Sequence, residues 1–536
     1  MTAAPGSILT RDTEQYEACR TRSFNADDPG RFPAEIHLVH TNKDVIQALG
    51  RARQLKKSVG VRSGGHIPSK PSLLHDGVLI DTTHLNREVI YDSKTHEVNF
   101  GPAVRVFEAW QRLEQLGRFF PFGHAPTVAL GGFCLAGGQG FFMRGWGATI
   151  TEWIVKMEIV VPDGRVVIAS RTENPDLFWA ARGSGQAFFG VVTRIWSRTV
   201  PKRQLFGRSF VFTVQENFEE LLSFAFERNR ATPKMCTETA LCTFYPEKFG
   251  PSTTELVPEA SQLLLAVAVS AYADSVTEAK TMLSAWDNLP EQLKPYLVET
   301  KPVAEASWEA FFQDQEHWNP ENSDQKWGIN SILNDPSVPE SKLIKAIKPA
   351  LCNLPTLSSY GCLYMSDTVT PDEDDAVFSL PQQYYISTFS GWKDPSLRPL
   401  IQTTMRDSYR QAETVACGMY VADFDQSSQS LHSPETARLV VTCGHQGWYP
   451  QTARLQQGWY PQTPRLQQGL YLQTARLQQG WYLVQTARSL TANSKIVKVR
   501  RAEVIGGDNL NLNATSIHLI PDCWGRMCTF MAYNSG

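Results

Sequence analysis

The stretch VRSGGHIPSK, Val61 to Lys70, decides how the rest of the chain is read. A strand-like run, SVGVR from Ser58 to Arg62, stops on Gly64, Gly65 and a single histidine, His66. Paired glycines let backbone N–H groups come close to an anion, and successive N–H groups form a nest for phosphate oxygens. A histidine one step beyond such a nest is placed to touch whatever the nest holds.

Three further segments extend this picture. PTVALGGFCLAGGQG, Pro126 to Gly140, is dense in glycine and free of charge, so it can press against a flat ring and a pyrophosphate. MRGWGA, Met143 to Ala148, reads as a turn into the next strand. ENPDLFWAARGSGQAFFGVVT, Glu173 to Thr193, reads as a helix with Phe178 and Trp179 inward, a glycine turn and a buried strand. Each alone is a common tight turn. GGQG lacks the strand-to-helix context of a nicotinamide-dinucleotide fingerprint, and no GK[ST] follows any loop, so a Walker A site is excluded.

Taken together, in this order and spacing, the four segments resemble the FAD-binding domain of the vanillyl-alcohol oxidase family, the PCMH-type fold. The berberine-bridge-like and 6-hydroxynicotine-oxidase-like FAD-linked oxidases are the most similar branch, with a further resemblance to fungal members that modify secondary metabolites. The resemblance implies FAD as cofactor, with Arg62, Ser63, Gly64, Gly65, His66 and Ile67 around the pyrophosphate turn. It extends the cofactor contacts to Thr127, Val128, Gly131, Gly132, Gly137, Gly138, Gly140 and Val192. It also implies that His66 is 8α-histidyl-linked to the isoalloxazine; a noncovalent contact with FAD is the alternative. Arg62 either approaches the phosphates or pairs locally. Neutral imidazole is a competent nucleophile near pH 7, which suits the linkage.

The sequence departs from the family pattern at several points. Ile67 stands where a small polar residue is usual. Ala125 stands before Pro126 where doubly linked members carry cysteine, so no second flavin link is expected. Cys134 replaces an aliphatic residue and reads as a small buried hydrophobe. Leu130 is bulky enough to limit oxygen approach if it borders the flavin.

The remaining chain sets the class. At 536 residues it exceeds one ordinary core. The fold class expected is α+β with two domains: a PCMH-type FAD-binding domain and an antiparallel-sheet substrate domain covered by helices. The segments are 1–32 (N-terminal), 33–202 (FAD-binding), 203–430 (substrate-binding) and 431–536 (atypical tail). Asn42 is expected to cap a helix, Asp163-Gly164 to turn a hairpin, and Gly117 to close a helix through Val106, Trp110 and Leu113. Hydrophobic residues make up 42% and charged residues 20%, and the net charge of −3 is spread without a basic stripe. That composition excludes a nucleic-acid binder. No signal-peptide core or bilayer-length apolar run is present, so no membrane partner is expected. Ten cysteines without metal-type spacing read as reduced thiols in a cytoplasmic chain with no metal site.

Between 447 and 488 four units follow with glycine every 11 residues: Gly447, Gly458, Gly469 and Gly480. Low apolar content, with proline in the first two units, reads as a poorly ordered low-complexity insertion. The family usually ends with a segment that closes the flavin site, and Tyr533-Asn534 is only a faint echo of its tyrosine-asparagine motif.

The expected activity is hydride removal from a small-molecule substrate at a carbon next to oxygen or nitrogen, or at an activated ring carbon. O₂ is the expected acceptor. A dehydrogenase using another acceptor, or a flavin-binding relative inactivated by its tail, is the alternative. No catalytic base, substrate identity or oligomeric state can be read from the sequence.

Overall fold

The computed structural model describes residues 4–250, 254–321, 323–366, 376–378 and 382–423, and the strands Leu470–Leu477, Gly480–Ala487 and Ala502–Ile505. Two larger sheets and a two-stranded ribbon, Arg118–Phe119 with Val200–Pro201, build the first part. In the four-stranded sheet, Glu35–Leu38 and Val59–Arg62 both run parallel to Val78–Asp81, and Ile8–Leu9 adds an antiparallel edge. The helix Asn42–Leu55 makes the crossover between the two parallel neighbours and buries Val45, Ala48, Leu49 and Ala52. Its cap is Thr41, one residue before the expected Asn42: Thr41 Oγ1 accepts the Asp44 N–H, and Asp44 accepts the Thr41 N–H at 2.9 Å. The box wins because it satisfies two orphan N–H groups reciprocally.

The five-stranded sheet contains the expected hairpin, with Val160 opposite Val166 across Asp163-Gly164. Helix Val106–Gln115 lays Val106, Ala109, Trp110 and Leu113 into the core, and Gly117 follows it at φ +64° as expected. The segment around residue 178 differs: Phe178 is fully buried, whereas Trp179 is only half-buried.

The second part is one eight-stranded antiparallel sheet. Strands Gln204–Thr213, Thr237–Phe244, Leu264–Ala273 and Tyr384–Trp392 fall on runs legible in the sequence; Leu297–Ala306, Lys326–Asn334 and Tyr360–Met365 do not. Residues alternate between faces. Leu241, Leu363, Val267 and Ile386 pack with Leu221, Ile344 and Tyr409 of the covering helices Phe218–Ala231, Glu340–Cys352 and Arg398–Ala412. The opposite face, with Cys242, Phe244, Tyr360, Cys362 and Tyr364, turns toward the first part.

The parts are locked by buried polar groups. Arg144 donates to the carbonyl oxygens of Asn229 at 2.8 Å and Thr232 at 3.4 Å. Gly145 lies so near the second part that a Cβ would come within 2.6 Å of Met235 Cα. The N-terminal segment is a strap. Asn25, 2% exposed, donates to the Pro68 and Trp327 carbonyls and accepts the Trp327 N–H at 2.9 Å.

Within and just after the repeat region the described residues form three strands. Leu470–Leu477 pairs antiparallel with Gly480–Ala487, which pairs with Ala502–Ile505. The first two units carry Pro450 and Pro461, whereas the third and fourth carry Leu472 and Leu483 at the same place. Without proline every N–H there can join a ladder. Tyr533-Asn534 lies outside the described residues.

Candidate functional site

Between the two parts lies a cavity of about 2190 Å³. Pockets for one small ligand span about 300–1,000 Å³, so this one has room for a dinucleotide and a substrate together. Ser63, Gly64, Gly65, His66, Ile67, Val128, Gly131, Gly132, Gly140 and Val192 all line it. The two glycine segments face each other: a Cβ on Gly64 would lie 2.8 Å from Ala129 Cβ, and one on Gly132 would lie 3.7 Å from Ser63 Oγ. Gly65 turns the chain at φ +71°, a region that L side chains avoid. Gly64→Ala is therefore expected to push the two segments apart at a cost of about 1–3 kcal/mol. Melting temperature and FAD content of the purified variant would both fall.

His66 is held on two sides. Its ring stacks on Phe24 at 4.3 Å and 12°. Its Nε2 shares a hydrogen bond of 2.8 Å with Thr127 Oγ1. Nδ1 has no hydrogen-bond partner among the described residues. Burial, assisted by the positive charge of Arg105, draws the imidazole down to about 3, so His66 is neutral at pH 7. Thr127 acts through this bond; its side chain does not line the cavity.

Several expectations change. The Arg62 guanidinium, 4% exposed, gives Nη2 to Asp81 at 2.7 Å and Nη1 to the Arg20 carbonyl at 3.0 Å. Its side chain makes the local ion pair, because fully buried Asp81 demands a partner, and Arg62 also borders the cavity. Burial pushes the Asp81 carboxyl up, but Arg62 and Arg22 outweigh it and hold it at about 2. Arg62→Ala leaves that carboxylate buried and is expected to cost about 3–5 kcal/mol of stability, read as a lowered denaturant midpoint. Gly137 and Gly138 do not line the cavity. At φ +123° and +61° they serve close packing, where a Cβ would meet Phe378 at 2.9 Å or Thr149 at 3.0 Å. Leu130 is fully buried in the core. Cys134 is fully buried, and burial alone pushes its thiol up, as fits a hydrophobe.

The structure adds polar groups that the sequence did not disclose. Tyr385 donates its hydroxyl to Asp423 Oδ2 at 2.5 Å, and both line the cavity. Burial raises the Asp423 carboxyl to about 6, although the Tyr385 bond works against it. His124 Nε2 meets Glu238 Oε1 at 2.8 Å, and Glu238 Oε2 accepts the Phe142 N–H at 3.0 Å. Tyr364 lies between the two pairs, 4.6 Å from His124 and 6.0 Å from Tyr385, ring centre to ring centre. Tyr385 stands on the recognised strand run YYISTFSGW, but nothing in spacing links it to Asp423.

The residues fit a flavin dinucleotide. Gln139 Nε2 and Oε1 and Gln186 Oε1 are buried without a hydrogen-bond partner among the described residues, and both side chains line the cavity. Buried polar atoms are rarely left so; a ligand rich in donors and acceptors would satisfy them. The glycine cradle leaves room for little but backbone beside it. Cavity and cradle together suit a fold that binds a flavin dinucleotide.

Comparison with known proteins agrees. Residues 33–170 match a family described as FAD binding domain. The chain is 26% identical to FAD-linked oxidoreductase nodO of Hypoxylon pulicicidum over 455 residues, 82% of this chain and 94% of that protein. It is 36% identical to FAD-linked oxidoreductase ptmO of Penicillium ochrochloron over 213 residues, 39% of this chain and 47% of that protein. The ptmO match thus spans about half of the relative's length. Among solved structures, 6-hydroxy-D-nicotine oxidase from Arthrobacter nicotinovorans superposes with a TM-score of 0.63 at 17% identity, covering 83% of this chain and 95% of that one. That likeness is one of fold. Residues 33–170 thus match an FAD binding domain, and the chain is similar over most of its length to an FAD-linked oxidoreductase. No helix among the described residues is long and apolar enough to cross a membrane.

Proposed function

We propose that the chain is an FAD-dependent oxidase that takes a hydride from a small organic substrate, at a carbon beside oxygen or nitrogen or at an activated ring carbon. A role in secondary-metabolite biosynthesis accords with the resemblance to fungal enzymes of that kind. The observation that carries the reading is one cavity with the His66 turn on one wall and the Tyr385–Asp423 pair on the other. FAD, when bound, would supply the hydride acceptor, with O₂ as the terminal acceptor giving H₂O₂.

The protein's own groups bind, orient and move a proton. The N–H groups of the Gly64–His66 turn suit the diphosphate, and Gln139 and Gln186 suit polar edges of the cofactor. His66 is the point of covalent attachment to the 8α carbon. With Nε2 engaged by Thr127, Nδ1 is the free nucleophilic atom. Phe24 and Thr127 fix the ring's plane and tilt. Tyr385 takes the substrate O–H or N–H proton as it yields its own to Asp423, which is ionised above about 6.

The test is to purify the full chain, record its flavin absorbance and screen alcohols and amines for bleaching under nitrogen. Return of the colour on admitting air, with peroxide formed, supports an oxidase. Return only with an added dye makes it a dehydrogenase. A folded, colourless protein that takes up no FAD overturns the reading.

A further inference from the structure

Cys242 and Cys362 stand opposite each other on the antiparallel strands Thr237–Phe244 and Tyr360–Met365, the two middle strands of the eight. Their Sγ atoms are 3.4 Å apart. Both are free thiols, and both line the cavity. Their facing is set by alternation, since neighbouring Leu241 and Leu363 point into the helix-covered core. Cys362 also packs in the cluster that contains Phe24, whose ring stacks on His66. Opposed residues on an antiparallel pair hold their Cβ atoms about 4.5–5.5 Å apart. A disulfide needs about 3.5–4.5 Å, so a strand movement of about 1 Å and rotation at χ1 would close the gap.

We propose that Cys242 and Cys362 are a peroxide-oxidisable dithiol in the cavity wall, convertible to an intrachain disulfide that staples the two middle strands. The oxidant is hydrogen peroxide. Cys242, the more exposed of the two, attacks one peroxide oxygen; the O–O bond breaks, one water leaves and a sulfenic acid remains on Cys242. Cys362 then attacks that sulfur, the S–O bond breaks and a second water leaves. The two thiols give up two hydrogens and two electrons, and one peroxide becomes two waters. The hydrogen bond with Cys242 and burial both push the Cys362 thiol up, so its thiolate is scarce and the second step is the slower. The staple draws together the strands that carry Tyr360, Tyr364 and Phe244, and so narrows the space beside the flavin wall. An oxidase that released peroxide into this cavity would restrain itself as product accumulates. That last consequence rests on the oxidase reading; the chemistry of the dithiol does not.

The experiment uses the full-length FAD-loaded protein, treated with a small excess of hydrogen peroxide. Remaining thiols are alkylated, the chain is digested without reduction, and the peptides are mapped by mass. The expected result is a linked peptide pair joining Cys242 to Cys362, lighter by two hydrogens than the separate thiols and released by dithiothreitol. Both single variants should abolish the link: Cys362→Ser should leave a sulfenic acid on Cys242 that a dimedone probe captures, whereas Cys242→Ser should leave Cys362 as an unoxidised thiol. Flavin absorbance and melting temperature report that the variants are folded. If both cysteines remain alkylatable while Cys19, or Cys443, Cys523 and Cys528 in the tail, are consumed, the proposal falls. Conversion to sulfinic acid without a link overturns it equally. Linkage by added peroxide but not during turnover in air upholds the dithiol and removes the oxidase as its peroxide source.

Discussion

Replacing His66 by alanine will move the yellow colour of the acid-precipitated protein from the pellet to the supernatant. Acid unfolds the chain and frees any noncovalent flavin, so colour retained in the wild-type pellet reports the bond. The imidazole is well arranged to make it: neutral near pH 7, clamped between Phe24 and Thr127, with Nδ1 uncommitted. The turn and the facing glycine segment do not depend on that side chain, so His66→Ala should still bind FAD. A bond at the 8α carbon withdraws electrons, so the variant's flavin potential should also fall. For a two-electron couple each loss of about 30 mV shifts the equilibrium for hydride uptake about tenfold. Thr127→Val is the informative companion, because it removes the bond that orients the ring and leaves the nucleophile in place. It should slow flavin attachment and leave the final link intact. A His66→Ala pellet as yellow as the wild type would end the assignment of this residue.

Asp423→Asn should lower kcat/KM by about 10²–10⁴, the usual worth of a positioned proton acceptor. The sign of the pH effect follows from the raised carboxyl. Asp423 accepts a proton only when ionised, and it is ionised above about 6. Wild-type kcat/KM should therefore fall as pH drops through about 6, and Asp423→Asn should lose that limb. Tyr385→Phe should lose similar activity while FAD content and melting temperature stay near wild type. If Asp423→Asn kept both rate and pH profile, the proton would have to leave by another group, and His124 beside Glu238 would be the next to test.

The glycine wall of the cavity was largely legible because it depends on backbone. Gly64, Gly65, Gly131 and Gly132 show in the sequence as the absence of side chains, and His66 is conspicuous beside them. Arg62 read ambiguously because its decisive partner, Asp81, sits on a neighbouring strand. Gly137 and Gly138 could not be told from the other glycines, since a glycine tolerated against Phe378 looks the same as one pressed against a phosphate. The polar pairs of the cavity were hidden for another reason. Asp423 finds Tyr385 across 38 residues, and Glu238 finds His124 across 114, by sheet register and interdomain docking that no local pattern encodes. The opening segment shows no local pattern because its value is all in distant contacts: Phe24 on His66, and Asn25 on Pro68 and Trp327.

Asn25 and Trp327 are 302 positions apart. A chain synthesised from its amino end has therefore translated most of its length before the lid over the histidine can be fastened. Loop closure over such a span comes late in folding. Flavin captured earlier meets an unclamped imidazole, so attachment of the cofactor should be a slow, late event in the maturation of this protein, completed after release from the ribosome.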